Sequence, residues 1–396
     1  MFYPGLFEMK KKSYSILAGL LLISATLLAQ PFNIGHTTVG FFDSSRSRDI
    51  ETEIYYPADS PGENVPVALG DFPVIVFGHG FLMSWEAYQN FWTELVPDGY
   101  VICFPTTETG FSPSHENFRM DIKFVAAQMQ IENGISSSIF FDRLTEKTAL
   151  MGHSMGGGAS FLAAQNNPAI SSLINFAAAE TNPSAIAAAA NVTAPALMFS
   201  GNDDCVTPED AHQVPMYDNL AADCKTRISI INGGHCYFAD FNFFCNLGES
   251  LCNPSLNISR EEQQLTTFDF LTLWLDYSLR ENVNAFAVFN DSLQNSARIT
   301  FEQSCNTIDI AEVSTGAGMK IFPNPAVDKV AFKVPSENIG GLMTIYNVMG
   351  KRVYQQQITT GEFHIDLSGF TNGAYAVVIF NNNSSYTSML FKTNAR

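Results

Sequence analysis

Between residues 73 and 280 the chain alternates short β-branched apolar runs with longer stretches whose apolar residues recur at helical spacing. No other feature constrains the fold as much. PVIVFGHG (73–80) reads as a buried strand ending in glycines, and WEAYQNFWTELVPDG (85–99) as a helix stopped at Gly99. YVICFP (100–105) is the next strand, and HENFRMDIKFVAAQMQIEN (115–133) a long amphipathic helix. KTALMG (147–152) predicts a strand, and SMGGGASFLAAQNN (154–167) a helix packed through small residues. Three further apolar runs follow, LINFA, PALMFSG and RISIING. PEDAHQVPMYDNLAA, between the last two, reads as a helix bent at Pro215. REEQQLTTFDFLTLWLDYSLR (260–280) is a clear amphipathic helix, and residues 34–57 add two strand-like runs ahead of the series. Parallel neighbours need crossover helices, so the expected fold is α/β, a mostly parallel sheet with helices on both faces. In such sheets ligands bind beyond the carboxyl ends of the strands.

Composition sets limits on partners and compartment. A formal charge of -18, from 39 acidic and 21 basic residues, repels phosphate backbones and anionic lipid, so nucleic acid is not an expected partner. Lys10, Lys11 and Lys12 precede an apolar stretch over residues 13–28, and Ala29-Gln30 suits cleavage. Residues 1–30 therefore read as a secretory signal, with Met9 as an alternative start. The stretch is short for a membrane span, and a retained anchor is the competing reading. Export permits disulfides. Cys103 lies in the buried-strand pattern VICF and is the expected free thiol among seven cysteines. No C-x-x-C spacing occurs, which argues against a zinc site, and no metal or cofactor is expected.

The chemistry centres on Gly152-His153-Ser154-Met155-Gly156, a G-x-S-x-G between a predicted strand and a predicted helix. Its glycines permit the sharp turn that would push the Ser154 side chain into a cleft. A serine hydroxyl needs a base to act as a nucleophile. The run PALMFSG ends in Asn202-Asp203-Asp204 and RISIING runs into Gly234-His235, both at carboxyl ends of strands. His235 is the expected base and Asp204 its orienting acid, through the Gly201-to-Asp204 spacing, with Asp203 the rival. An oxyanion requires donors, and the N–H groups of Met155 and of Phe81, after His79-Gly80, are the candidates. Taken singly, an Asp or His at a strand end is usually a turn former or a hydrogen-bonded surface residue. Their order along the chain and their common edge argue otherwise. His79 and His153 are read as structural, and His36, His115, His212 and His364 as surface residues. Cys205 and Cys236 follow the acid and the base, so both belong at the catalytic edge, whereas Cys224 precedes its strand. The expected bridges are Cys205–Cys236 and a local Cys245–Cys252.

Residues 73–280 resemble the polyester hydrolase (PET hydrolase and cutinase-like), chlorophyllase and dienelactone-hydrolase-like branch of the α/β-hydrolase fold. His79-Gly80-Phe81, Gly152 through Gly158, Asp204 through Pro208 and Gly233-Gly234-His235 carry the resemblance. It implies extracellular hydrolysis of carboxylic esters without a cofactor, with Ser154, Asp204 and His235 catalytic and Phe81 and Met155 donating to the oxyanion. One departure stands out. Polyester hydrolases usually place a tryptophan after the strand that follows the serine helix, where this chain has Ala177-Ala178-Ala179-Glu180-Thr181-Asn182-Pro183. That weakens the case for aromatic polyesters. Trp85 follows the oxyanion loop but is expected in helix packing.

Residues 281–318, rich in Asn, Ser and Thr, read as a linker. Residues 319–396 hold short alternating runs and turn signals at Asn324-Pro325, Met349-Gly350 and Asn372-Gly373, the pattern of a small all-β sandwich. This tail resembles the C-terminal sorting domain of the type IX secretion system, through Ile321-Phe322-Pro323-Asn324-Pro325-Ala326, Ile345 through Lys351, Leu367-Ser368 and Asn372 through Tyr375. The resemblance implies passage through the outer membrane of a Gram-negative cell. The organisation expected is therefore a signal (1–30), an α/β-hydrolase domain (31–280), a linker (281–318) and a sorting domain (319–396). The expected protein is a secreted or cell-surface serine ester hydrolase, monomeric, acting on a small-molecule or polymer ester and handled by the secretion machinery. A small-ester or lipid esterase of the same fold is the nearest alternative. A peptidase would carry an extra cap for which the chain has no room, and a binding protein on an inactive scaffold would not need Ser, Asp and His together.

Overall fold

A computed structural model describes residues 31–253, 255–305, 319–347, 352–381 and 384–393. The expected signal and residues 306–318 lie outside the described residues. The larger domain contains strands β1 (Asn33–Asp43), β2 (Arg48–Ala58), β3 (Gly62–Glu63), β4 (Phe72–Gly78), β5 (Val101–Pro105), β6 (Leu144–His153), β7 (Ser172–Phe176), β8 (Ala196–Gly201), β9 (Cys224–Ile230) and β10 (Ile299–Cys305). Its helices are α1 (Gln89–Leu95), α2 (His115–Glu132), α3 (Met155–Ala164), α4 (Ala185–Ala189), α5 (Gln213–Asn219), α6 (Phe243–Cys252), α7 (Arg260–Arg280) and α8 (Val283–Asn295). One sheet runs β10-β9-β8-β7-β6-β4-β5-β2-β1-β3. The six strands from β5 to β9 are parallel, and antiparallel β2 and β10 flank them.

Side-chain alternation explains why both faces are covered. Every residue of β4, β5, β7 and β8 is buried. Val74 and Val76 of β4 join a core with Phe118, Ile122 and Val125 of α2, on the face that α3, α4 and α5 also cover. Ile75 and Phe77 point the other way, into a core with Phe91 of α1, Trp274 of α7 and Phe289 of α8. Local signals fix the helix starts. The Ser114 hydroxyl accepts from the Asn117 N–H at the head of α2, and the Ser259 hydroxyl from the Glu262 N–H at the head of α7.

The region expected to be a linker departs from that reading over residues 283–305. Asn282 caps α8 by accepting from the Asn284 and Ala285 N–H groups, so one of its asparagines is a helix signal. Phe289 and Leu293 of α8 are buried in the core. Strand β10 pairs antiparallel with β9 from Ile299↔Ile230 to Cys305↔Cys224. It lies at the sheet edge with only Ile299 buried, which is why ITFEQSC carries so little apolar pattern.

The C-terminal residues form two antiparallel sheets. One contains β11 (Lys320–Phe322), β12 (Lys329–Lys333) and β15 (Glu362–Asp366). The other contains β14 (Arg352–Gln357), β13 (Leu342–Asn347), β16 (Gly373–Asn381) and β17 (Ser384–Lys392), in that order. Val330, Phe332 and Ile365 of the first meet Met343, Ile345, Val377 and Leu390 of the second in one core, a small β-sandwich.

The disulfides correct both expected bridges. Cys205 and Cys236 do not pair with each other; each is taken by α6, as Cys205–Cys252 and Cys236–Cys245. Cys245 and Cys252 cannot form a local bridge because both lie on that helix. Seven residues of helix separate their Cα atoms by roughly 10 Å along the axis, beyond disulfide reach. Cys224 bonds Cys305 at the opposite edge of the sheet, and Cys103 is a buried free thiol as expected.

Candidate active site

Strands β6, β7, β8 and β9 are consecutive parallel neighbours, and the residues that follow β6, β8 and β9 form the site. Ser154 sits between β6 and α3 with φ 54° and ψ -120°, a conformation that a non-glycine residue adopts only under constraint. Two glycines make the turn sterically feasible. A side chain at Gly156 would run into the carbonyl oxygens of Gly78 and His79, and one at Gly152 into that of Gly156. The Ser154 N–H donates to the Phe176 carbonyl at 3.0 Å, pinning the turn to β7.

Three of the five residues singled out from the sequence form one hydrogen-bonded line. Ser154 Oγ is 2.9 Å from His235 Nε2, and His235 Nδ1 is 2.8 Å from Asp204 Oδ2. All three residues are buried, with Ser154 the most accessible at 7%. Burial pushes the Asp204 carboxyl up, but the neighbouring His235 and hydrogen bonds from His235 and Thr207 outweigh it and hold it below the ordinary carboxylate value. The Val206 and Thr207 N–H groups each donate to Asp204 Oδ1 at 2.8 Å. Asp203 takes no part in this line. It contributes backbone, its N–H donating to the Gly233 carbonyl and its carbonyl accepting from Asn253 Nδ2.

The other two residues flank the serine. Met155 opens α3, so its N–H belongs to the unpaired first turn of that helix. Phe81 lies in the loop after β4 with its ring half-exposed, and its N–H has no partner among the described residues.

Several residues that the sequence reading passed over hold this arrangement. The Thr207 hydroxyl lies 2.8 Å from Asp204 Oδ2, 3.0 Å from His235 Nδ1 and 3.2 Å from the Ala177 carbonyl. The buried Glu249 of α6 accepts from the backbone N–H groups of His235 and Cys236. Burial pushes its carboxyl above the usual range, and those N–H groups offset part of the shift. Gln263 of α7 brackets Gly234, accepting from its N–H and donating to its carbonyl, both at 2.9 Å. His79, read as structural from the sequence, faces the carbonyls of Gly80 and Thr107, a loop-shaping contact.

His115 and His212 are more than surface residues. Their Nδ1 atoms accept from the N–H groups of Asn182 and Glu180, at 3.0 and 2.9 Å, and so tether the loop after β7. Trp85 packs its ring at 48° to those of Tyr55 and Trp92, in helix packing as expected. Glu249, Gln263, His115 and His212 stand in no local motif, and their contacts are visible only once the strands are ordered.

Residues 26–248, more than half of the chain, match the family described as PET hydrolase-like. Residues 320–393 match the secretion system C-terminal sorting domain. Among curated proteins the chain is similar to the ulvan lyase NLR42 of Nonlabens ulvanivorans, 27% identical over 127 residues, which cover 31% of this chain and 23% of that protein. It is also similar to the cutinase est1 of Thermobifida alba, 22% identical over 188 residues, which cover 46% of this chain and 56% of that protein. The chain thus spans less than two thirds of the length of either relative. The α/β fold, the tail domain and the match over 26–248 agree with the resemblances read from the motifs, and the chain belongs to the PET hydrolase-like family, with a type IX sorting domain at its C-terminal end.

Proposed function

We propose that this protein is an exported serine carboxylic ester hydrolase that works through an acyl-enzyme. One observation carries the reading: the unbroken line from Ser154 Oγ through His235 to Asp204 at the carboxyl edge of the sheet. Ser154 Oγ attacks the ester carbonyl as its proton passes to His235 Nε2. Asp204 accepts from His235 Nδ1, which leaves Nε2 free to act as the base, and its charge stabilises the imidazolium. The N–H groups of Phe81 and Met155 bind the oxyanion. His235 then returns the proton to the leaving alcohol, and water releases the acyl group by the same route. The sorting domain directs the protein outward across the outer membrane.

The substrate class is an uncharged carboxylic ester, with a polyester or cutin-like polymer as the extended case. The family membership and the cutinase similarity support it. The half-exposed Phe81 ring offers one apolar wall, whereas the loop after β7 offers no aromatic one. Hydrolysis of p-nitrophenyl acetate, butyrate and longer esters by the wild type, beside Ser154→Ala, tests the reading. Turnover by the wild type that is lost in the variant is the expected result, and a serine-directed phosphonate should label only the wild type. Equal turnover by both proteins would overturn the nucleophile, and absence of both turnover and labelling would overturn the activity.

A further inference from the structure

Helix α6 presents an apolar stripe to solvent beside the proposed active site. Phe243, Phe244, Leu247 and Leu251 are 62%, 46%, 46% and 81% exposed. At about 100° per residue these four fall within a single arc of roughly 100°. Cys245, Glu249 and Cys252 fall on the opposite side of the helix by the same count. That side is turned inward. The cysteines bond Cys236 and Cys205, and Glu249 accepts from the His235 N–H. The stripe also continues beyond the helix. Phe111, 78% exposed on the loop after β5, sets its ring edge-on to Phe244 at 6.1 Å. Both loops reach the carboxyl edge of the sheet where Ser154 lies.

We propose that α6 and Phe111 form a docking face for the uncharged apolar surface of a solid polyester, holding that surface beside the Ser154 cleft; naming an ester rests on the hydrolase reading above. Charge argues for this occupant. Residues 241–253 contain no Lys or Arg, and their one acidic residue, Glu249, is buried. Arg260 donates to Asn246 Oδ1 of the helix but is also bound to the Cys236 and Ala239 carbonyls, so the stripe itself offers anionic lipid no cation. Two copies of a chain with a net charge of -18 repel each other, which disfavours self-association. A neutral polymer meets neither obstacle. Rigidity argues for it too. A ten-residue helix is marginal alone, but the two disulfides hold this one formed, so docking incurs little ordering cost. Its position continues the cleft, since the bridged Cys205 and Cys236 adjoin Asp204 and His235.

The test separates docking from chemistry by using full-length Ser154→Ala protein. Its adsorption to amorphous poly(ethylene terephthalate) and polycaprolactone films is compared with that of the same protein carrying Phe243→Ser, Leu247→Ser and Leu251→Ser. Adsorption is expected to fall about fivefold or more, because binding scales with the apolar area buried. In the Ser154 background, film hydrolysis should fall similarly while kcat/KM for p-nitrophenyl butyrate stays within about twofold. A single Leu251→Asn variant, at the most exposed position, should show a smaller loss with an unchanged thermal midpoint, and it decides the matter if the triple variant misfolds. Unchanged adsorption overturns the proposal. So does an equal loss on the soluble ester, which would make α6 part of the cleft. A wild-type dimer that the substitutions dissociate, or a larger loss of binding to lipid vesicles than to film, replaces the polyester as occupant and also overturns it. A wild type inactive on every ester, with the adsorption difference intact, would sink the hydrolase reading alone.

Discussion

The hydroxyl of Tyr88 lies 3.0 Å from Nδ1 of His153, and this contact ties the loop of Phe81 to the backbone of His235. The Gly80 N–H donates to the Tyr88 oxygen at 2.7 Å, and His153 Nε2 lies 3.0 Å from the His235 carbonyl. Donors and acceptors are consistent when neutral His153 carries its proton on Nε2 and Tyr88 donates to Nδ1. Removing the hydroxyl in Tyr88→Phe leaves the Gly80 N–H without its acceptor, a cost of about 1–3 kcal/mol. It also frees the loop that presents the Phe81 N–H. We expect kcat for p-nitrophenyl butyrate to fall about tenfold with KM little changed, since the oxyanion forms only in the transition state. A thermal midpoint that drops while kcat holds would reduce Tyr88 to a packing residue.

The two adjacent aspartates separate cleanly by mutation. Asp204→Asn cannot accept from His235 Nδ1 as a carboxylate, and kcat should fall about 10⁴-fold. Asp203→Asn leaves the Ser154–His235–Asp204 line intact and should stay within about twofold of the wild type. Steady-state kinetics on one soluble ester suffices, and equal losses in the two variants would refute the assignment.

What was legible in the sequence was what is local. The strand-turn-helix around Ser154 declares itself because two glycines and a serine must stand together for the turn to exist. Asp204 and His235 were legible because strand ends can be read one at a time. The partners that hold them were not. Thr207 reaches His235 across 28 positions, Tyr88 reaches His153 across 65, and Glu249 reaches the His235 N–H from α6. Such pairings depend on which strands are neighbours. The disulfides failed as expectations for the same reason. Cys205, Cys236 and Cys224 can be placed at the correct edges from the sequence, but the helix that carries Cys245 and Cys252 is not legible there, and that helix decides the pairing. Edge strand β10 escaped notice because only one of its seven residues is buried.

Stability should fall in mild acid because of His153. Its ring is wholly buried, and burial, reinforced by the neighbouring His235, pushes its pKa down to about 3. An unfolded chain protonates the same ring below about 6.5. The folded state therefore binds fewer protons between those values. The stability tied to a neutral His153 is complete above about 6.5 and is lost as pH falls toward about 3. At pH 5 the loss from this group is about 2 kcal/mol, from 1.5 pK units at 1.36 kcal/mol each. His79, also buried and shifted downward, acts in the same direction. Urea denaturation at pH 7 and pH 5 measures the slope. In His153→Phe the protein should be less stable at pH 7 but show a shallower decline, and an unchanged slope would clear His153 of the effect.

The three disulfides should divide into two functional kinds. Peptide mapping without reduction is expected to recover Cys205–Cys252, Cys236–Cys245 and Cys224–Cys305, with Cys103 alkylated only after unfolding. Removing any bridge by paired serine substitution should lower stability, by about 2–4 kcal/mol for the two that close long loops. Activity should distinguish them. Loss of either α6 bridge loosens Glu249 from the His235 N–H, so the base loses an anchor and kcat falls. The Cys224–Cys305 bridge joins β9 to β10 at the edge away from Ser154, and its loss should leave kcat unchanged below the new melting temperature. Glu249→Gln separates anchoring from charge, because the amide oxygen still accepts from His235. It should retain most of the activity that Glu249→Ala loses. If the α6 bridges and the β10 bridge depress kcat alike, the effect is general loosening of the fold and Glu249 does not position the base.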